Sequence, residues 1–314
     1  MKTNDPEILF AQACKGDRVS LARMISLIER GTDEGDEIAK LTFTASSHSY
    51  TVGITGAPGA GKSTLTSALV EVIRKNGQDV AVIAIDPSSP FSGGAILGDR
   101  VRMQDHALDS GVYIRSMATR GHLGGLAVAV PEASRALGAV GFGNVIIETV
   151  GVGQVEVEIA EEADTTVVVV NPGWGDAVQA NKAGLMEIAD VFVINKADRP
   201  GVRETRRDLE MMLDMTALKG HRPSIIETVA HEKKGITQTY AAIAEHRSFA
   251  TSSGLAASRR AARLEKELSR ILQAIIAKHV AQSLATERFS KVRSDMTRGL
   301  IDPRSAARII VENQ

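Results

Sequence analysis

The chain has 314 residues, of which 43% are hydrophobic and 24% charged, with a net charge of −1. That balance suits one large domain with additions, or about two domains of ~150 residues, and excludes a chain drawn by a strong overall field to nucleic acid or an anionic membrane. A single cysteine, Cys14, excludes an internal disulfide and suits a reducing, cytoplasmic setting.

The opening stretch MKTNDPEILFAQACKGD has no basic segment followed by an apolar run, so it does not read as a signal peptide. No apolar run approaches the ~20 residues of a membrane span. From about Glu7 to Leu41 the pattern predicts helix, with Leu21, Met24, Ile25 and Ile28 on one stripe. From Ser49 short β-branched runs alternate with amphipathic stretches. The runs are Thr51–Thr55, Val80–Asp86, Val112–Ile114, Asn144–Glu148, Thr166–Val170, Val191–Asn195 and Ser224–Thr228; Ser63–Lys75 and Glu132–Val140 lie between them. Continuous apolar strands separated by helices predict an α/β domain with a mainly parallel sheet covered on both faces. After Thr251–Gly254 a charged segment runs to about Ala285, with Leu264, Leu268, Ile271 and Ile275 on one face. Such a face packs on its own domain or serves as a dimerisation arm. Asp302-Pro303 reads as a helix cap with proline at the first helical position. The expected organisation is a helical extension over residues 1–47, an α/β domain over 48–250 and a helical arm over 251–314.

Two motifs carry chemistry. Gly56-Ala57-Pro58-Gly59-Ala60-Gly61-Lys62-Ser63 matches the phosphate-binding pattern G-x-x-x-x-G-K-[ST], between a predicted strand and a helical run that opens at Thr64. Its glycines let backbone N–H groups face phosphate oxygens, the helix N-terminus adds positive potential, and Lys62 and Ser63 suit the outer phosphates and Mg²⁺. The fold expected is therefore that of a P-loop NTPase. Farther on, Asn195-Lys196-Ala197-Asp198 follows the strand Val191–Ile194. Guanine offers a ring N–H beside an exocyclic amine, and the one carboxylate of Asp198 can accept both, whereas adenine lacks that edge. Lys196 can lay its stem along the base. Thr228-Val229-Ala230, with His231 after it, ends another strand where a second base-contacting loop would lie, or forms a plain turn.

Acidic residues at the carboxyl ends of parallel strands face the ligand crevice. Asp86 and Glu148 end two such runs, and Asp99 follows in a polar loop; their hard oxygens, with that of Ser63, suit Mg²⁺. Glu148-Thr149-Val150-Gly151 reads as an acidic-x-x-Gly switch, with Gly151 placed to sense a γ-phosphate. Gln154 could orient water or simply begin a helix.

The stretches VAVIAIDPSSPFSGGAILGDRVRM, IIETVGVGQVEVEIAEEADT and VVNPGWGDAVQANKAGLMEIADVFVINKAD resemble the MeaB/ArgK family of GTPases, in the class that also holds signal-recognition and metal-insertion GTPases. The resemblance runs from about Ser20 to His246. It implies GTP and Mg²⁺ as ligands and a chaperone role toward an adenosylcobalamin-dependent acyl-CoA mutase, typically methylmalonyl-CoA mutase. It also implies a homodimer through the C-terminal helices, slow hydrolysis that the partner accelerates, and a further loop, Pro172–Lys182. There Asp176, Gln179 and Lys182 would approach the nucleotide, Lys182 in the manner of an arginine finger. The chain departs from familiar members in the loop sequence around Trp174 and in a short N-terminal segment. Three rivals stand beside this reading. A nickel-inserting GTPase would need a Cys/His cluster, whereas Cys14 is alone and the seven histidines are scattered. A kinase would need an acceptor site that no motif supplies. Against a scaffold that merely binds GTP, the intact Lys62, Ser63 and acidic strand ends together favour hydrolysis.

Overall fold

The computed structural model describes residues 4–45, 49–87, 104–106, 108–119, 129–149, 161–173, 184, 187–216, 220–284 and 287–311. The chain forms two compact units, Met1–Arg263 and Leu264–Gln314.

The first unit is built on a seven-stranded sheet in the order β3-β2-β4-β1-β5-β6-β7. In chain order the strands are β1 (Tyr50–Gly56), β2 (Val80–Pro87), β3 (Val112–Thr119), β4 (Asn144–Thr149), β5 (Thr165–Val170), β6 (Val191–Asn195) and β7 (Ser224–Thr228). Every pair in the ladder is parallel. The central strands are buried on both faces, which is why they read as uninterrupted Val/Ile runs rather than alternating ones.

Helices cover both faces. On one face lie α1 (Pro6–Cys14), α2 (Arg18–Arg30), α3 (Asp33–Ala45) and α5 (Ala129–Ala139), packing Met24, Ile25, Ile38 and Leu137 onto Ile83, Met117 and Ile147. Toward the far end of that face, α6 (Val202–Met215) sets Leu209 and Leu213 against Val168, Phe192 and Ile194. The opposite face is covered by α4 (Lys62–Lys75) and α7 (Ile236–Ser252), whose Leu65, Leu69 and Ile243 meet Val52, Ile54, Val167 and Val193.

The single N-terminal helical stretch that periodicity predicts is broken into α1, α2 and α3. Asp17 caps α2 by accepting the Val19 and Ser20 N–H groups, and Gly31 ends it in the left-handed conformation, φ +63°. Strand β3 runs five residues past Ile114 because Arg115, which looks out of place in a strand, is neutralised by Glu29 of α2 at 3.0 Å.

The helix α8 (Leu255–Leu284) begins within the first unit and continues into the second, which also holds α9 (Glu287–Thr297) and α10 (Pro303–Val311). Asp302 accepts the N–H groups of Arg304 and Ser305 at 2.9 and 3.1 Å, which is the cap its sequence predicts.

Two aspartates fix the register at the starts of the central strands. Asp164, before β5, accepts the N–H of Thr51 at 2.9 Å while its own N–H donates to the Thr51 carbonyl. Asp190, before β6, repeats the pattern with Thr166. Asp190 is also 3.1 Å from His246 Nε2 and receives both Arg259 Nη groups at 2.9 Å. Burial pushes its carboxyl upward, but the hydrogen bonds and charges of His246 and Arg259 outweigh burial and hold it below the ordinary aspartate value.

Asp190→Asn should therefore cost on the order of 2–3 kcal/mol at neutral pH, the scale of a lost charged hydrogen bond at a partly solvated partner. Because the folded carboxyl titrates below the unfolded one, this contribution is present above about pH 4 and is lost as pH falls through the folded value. Urea unfolding midpoints of the two proteins should converge in acid and separate near neutrality; a constant gap at all pH would contradict this.

Candidate functional site

The site is assembled at the carboxyl ends of β1, β4 and β6, where a parallel sheet presents its ligand crevice. At the end of β1 the chain turns at Gly56, with φ +133°, in direct contact with β5: a Cβ there would sit 2.0 Å from the Val169 carbonyl oxygen. Only glycine fits. The loop Ala57–Gly61 then leads into α4 through Gly61, φ +89°, which offers no side-chain cap. The first N–H groups of a helix have no partner within the helix, so this terminus is a cradle for an anion. Lys62 is buried at the base of the loop, its ammonium donating to the carbonyls of Gly56 at 2.5 Å and Ala57 at 3.0 Å. Pro58, Gly59, Ser63 and Thr64 are exposed.

Beside the loop, Glu148 lies at the end of β4 with Ile54 of β1 as its register partner, and it is almost wholly buried. Ser63 Oγ donates a hydrogen bond to its Oε1. A hydroxyl and a carboxylate oxygen thus sit together next to the phosphate cradle. They form the donor set that a hard divalent cation takes, so the residues present fit Mg²⁺.

The second motif closes on the first. At the end of β6 the Asn195 carboxamide Nδ2 donates to the Ala60 carbonyl at 2.8 Å, while its Oδ1 accepts from Thr228 Oγ1 at 3.0 Å and from the Ala230 N–H at 3.1 Å. One buried side chain therefore joins the phosphate loop, the end of β7 and the turn after it. The fit is close: a Cβ on Gly61 would come within 2.3 Å of Asn195 Nδ2. Lys196 takes a left-handed backbone conformation, φ +59°, and its ammonium reaches the Gly59 carbonyl at 2.6 Å. Ala197 N donates to the Thr228 carbonyl at 3.0 Å, and Asp198 then stands exposed at the rim. Val229 and Ala230 are buried, and His231 is exposed.

The sequence-predicted residues Gly56–Thr64, Glu148, Asn195, Lys196, Asp198 and Val229–His231 are thus gathered around one crevice. The backbone of Asp86 lies in β2, next to β4 in the sheet; its side chain, and the whole of Asp99, Gly151, Gln154, Trp174, Asp176, Gln179 and Lys182, lie outside the described residues. Sequence reasoning placed Thr228 at the head of the second base-contacting loop but did not assign its hydroxyl a bond to Asn195.

Comparison with known proteins agrees with this geometry. The family model described as "Methylmalonyl Co-A mutase-associated GTPase MeaB" matches residues 21–285. A putative GTPase of Pyrococcus abyssi is 50% identical over 308 residues, covering 97% of this chain and 95% of its own. The mitochondrial methylmalonic aciduria type A homolog of mouse is 30% identical over 324 residues, covering 97% of this chain and 78% of its own. The crystal structure of an LAO/AO transport system kinase is similar with a TM-score of 0.71 at 25% identity, over 99% of this chain and 98% of that one. With the family match spanning the phosphate loop, the sheet and the guanine motif alike, the chain belongs to the MeaB family of P-loop GTPases.

Proposed function

We propose that this GTPase is a chaperone for an adenosylcobalamin-dependent acyl-CoA mutase, methylmalonyl-CoA mutase or a relative, and that it couples GTP binding and hydrolysis to loading or rescue of that enzyme. The observation that carries the nucleotide reading is the Asn195 carboxamide, which binds the phosphate loop to the guanine motif. The client reading is supported by the family's description and by the name of the mouse relative.

In this reading Lys62 exchanges its bonds to the Gly56 and Ala57 carbonyls for oxygens of the β- and γ-phosphates. The N-terminus of α4 supplies N–H donors, and Asp198 accepts the paired donors of guanine. Ser63, Glu148, Asp86 and Asp99 would hold Mg²⁺, directly or through its waters. When bound, the ion would neutralise charge developing on the transferred phosphoryl group. Loss of the γ-phosphate removes the contact assigned to Gly151. Phosphoryl transfer needs mainly positioning and charge neutralisation, so a GTPase that awaits a cation from its Asp176–Lys182 segment turns over slowly alone and faster with its client.

A homodimer belongs to the same proposal. Leu264, Leu268, Leu272, Ile275, Ile276 and Val280 of α8 are exposed, with relative accessibilities of 39–61%. An apolar stripe at helical spacing is what a second copy would cover.

Three outcomes test the reading. Lys62→Ala should lower the affinity for fluorescent GDP by two orders of magnitude or more and abolish hydrolysis, a loss of at least ~3 kcal/mol. Asp198→Asn replaces an acceptor with an amide donor facing the guanine amine. GDP affinity should fall by about 2–3 kcal/mol, while xanthosine diphosphate, which carries a carbonyl in place of that amine, should gain. GTP hydrolysis measured with each cobalamin-dependent mutase of the source organism should accelerate with one of them and lose that acceleration in Lys182→Ala. No acceleration by any mutase would overturn the client assignment and leave the GTPase intact.

A further inference from the structure

The ends of β1, β5 and β6 away from the nucleotide crevice are held by a charged network that catalysis does not use. Arg259 and Arg263, one turn apart on the first turns of α8, face the two aspartates that start β5 and β6. Arg259 binds Asp190 with both Nη groups at 2.9 Å and reaches the Asp164 carbonyl at 3.1 Å. Arg263 pairs with the Asp164 carboxylate and donates to the Glu162 carbonyl at 3.1 Å. From α7, the wholly buried His246 sits 2.6 Å from Thr165 Oγ1 through Nδ1 and 3.1 Å from Asp190 through Nε2. Tyr50 OH hydrogen-bonds Thr165 Oγ1 from the start of β1, and Arg247 lies over the Tyr50 ring at 4.5 Å.

Each aspartate serves two masters. One oxygen receives the N–H of the neighbouring strand, and the carboxylate also receives an arginine of α8. Moving α8 therefore moves the groups that set the register of β1 against β5 and of β5 against β6.

The same three strands reach the nucleotide site at their other ends. β1 ends in Gly56 of the phosphate loop, β5 presses Val169 against Gly56, and β6 ends in Asn195. Each is only about 20 Å long, and the side chains of Val167–Val170 and Val191–Ile194 are fully buried. Interiors packed at crystal-like density transmit displacement rather than absorb it. Two apolar residues on α8 would hold it to the sheet at lower desolvation cost; charged forks add a fixed orientation.

We propose that Arg259 and Arg263 are positioning residues for the nucleotide site: by clamping Asp190 and Asp164 they make guanine-nucleotide affinity depend on how the first turns of α8 are seated. The proposal rests on the GTPase reading of the site and assigns a control point to the far side of the same sheet. By reciprocity, nucleotide changes the seating of α8 by the same factor.

The test uses the full chain and the dissociation rate and affinity of fluorescent mant-GDP, with circular dichroism as the control for folding. Arg259→Gln should change mant-GDP dissociation by at least ~5-fold, the lower end of ordinary allosteric coupling. Arg259→Lys should restore part of it, and adding Asp190→Asn to Arg259→Gln should add little. Dissociation within about twofold of wild type in folded variants, with only a lowered melting temperature, would overturn the proposal and leave the clamp purely structural. If Arg259→Gln fails to fold, Arg263→Gln carries the same test through Asp164. A wild-type protein that bound no mant-GDP would overturn the GTPase reading itself, and the coupling with it.

Discussion

The site depends on one carboxamide. Asn195 spends its donor on the Ala60 carbonyl and its acceptor on Thr228 and the Ala230 N–H, so the Gly56–Ser63 loop and the loop after β6, to which we assign phosphate and base, share one anchor though far apart in sequence. Buried polar groups are costly unless satisfied; a side chain with both ends engaged this way resists rotation. Gly61 must stay glycine for the same reason, since any Cβ would strike that amide. The left-handed backbone of Lys196 and its bond to Gly59 extend the link to the rim.

Around that anchor the electrostatics are arranged for a highly charged anion with a cation beside it. The N-terminus of α4, capped by a glycine without a side chain, concentrates positive potential. Lys62 stands at its base, and Ser63 and Glu148 place two oxygen donors next to it. The sheet supplies the rigidity: β1, β4, β5 and β6 are buried along almost their whole length and set these groups in register. The Asp164 and Asp190 hooks at the opposite ends fix where β5 and β6 begin against their neighbours.

How much of this was legible in the sequence follows from the range of each interaction. The two segments that meet at the site, Gly56–Ser63 and Asn195–Asp198, could be picked out because the chemistry proposed for them demands particular residues at fixed short spacing. The parallel sheet could be read because strands buried on both faces leave unbroken Val/Ile runs. The second half of β3 could not, since Arg115 hides it and its partner Glu29 lies in another helix. The breaks between α1, α2 and α3 are local, at Gly16-Asp17 and Gly31, but helical periodicity overrides them when read alone. The clamp of Arg259 on Asp190 spans 69 residues of chain; on paper both residues look like ordinary surface charges. Thr228 could be placed in its loop, but the bond of its hydroxyl to Asn195 appears only when β7 lies beside β6.

The central claim is that Asn195 makes the phosphate and base loops one binding site. The most direct measurement is a calorimetric titration of GDP into wild type and into folded Asn195→Ala. The account predicts that affinity falls by about 100-fold or more, the equivalent of roughly 3 kcal/mol, because both loops lose their anchor. An affinity unchanged by the substitution would contradict it.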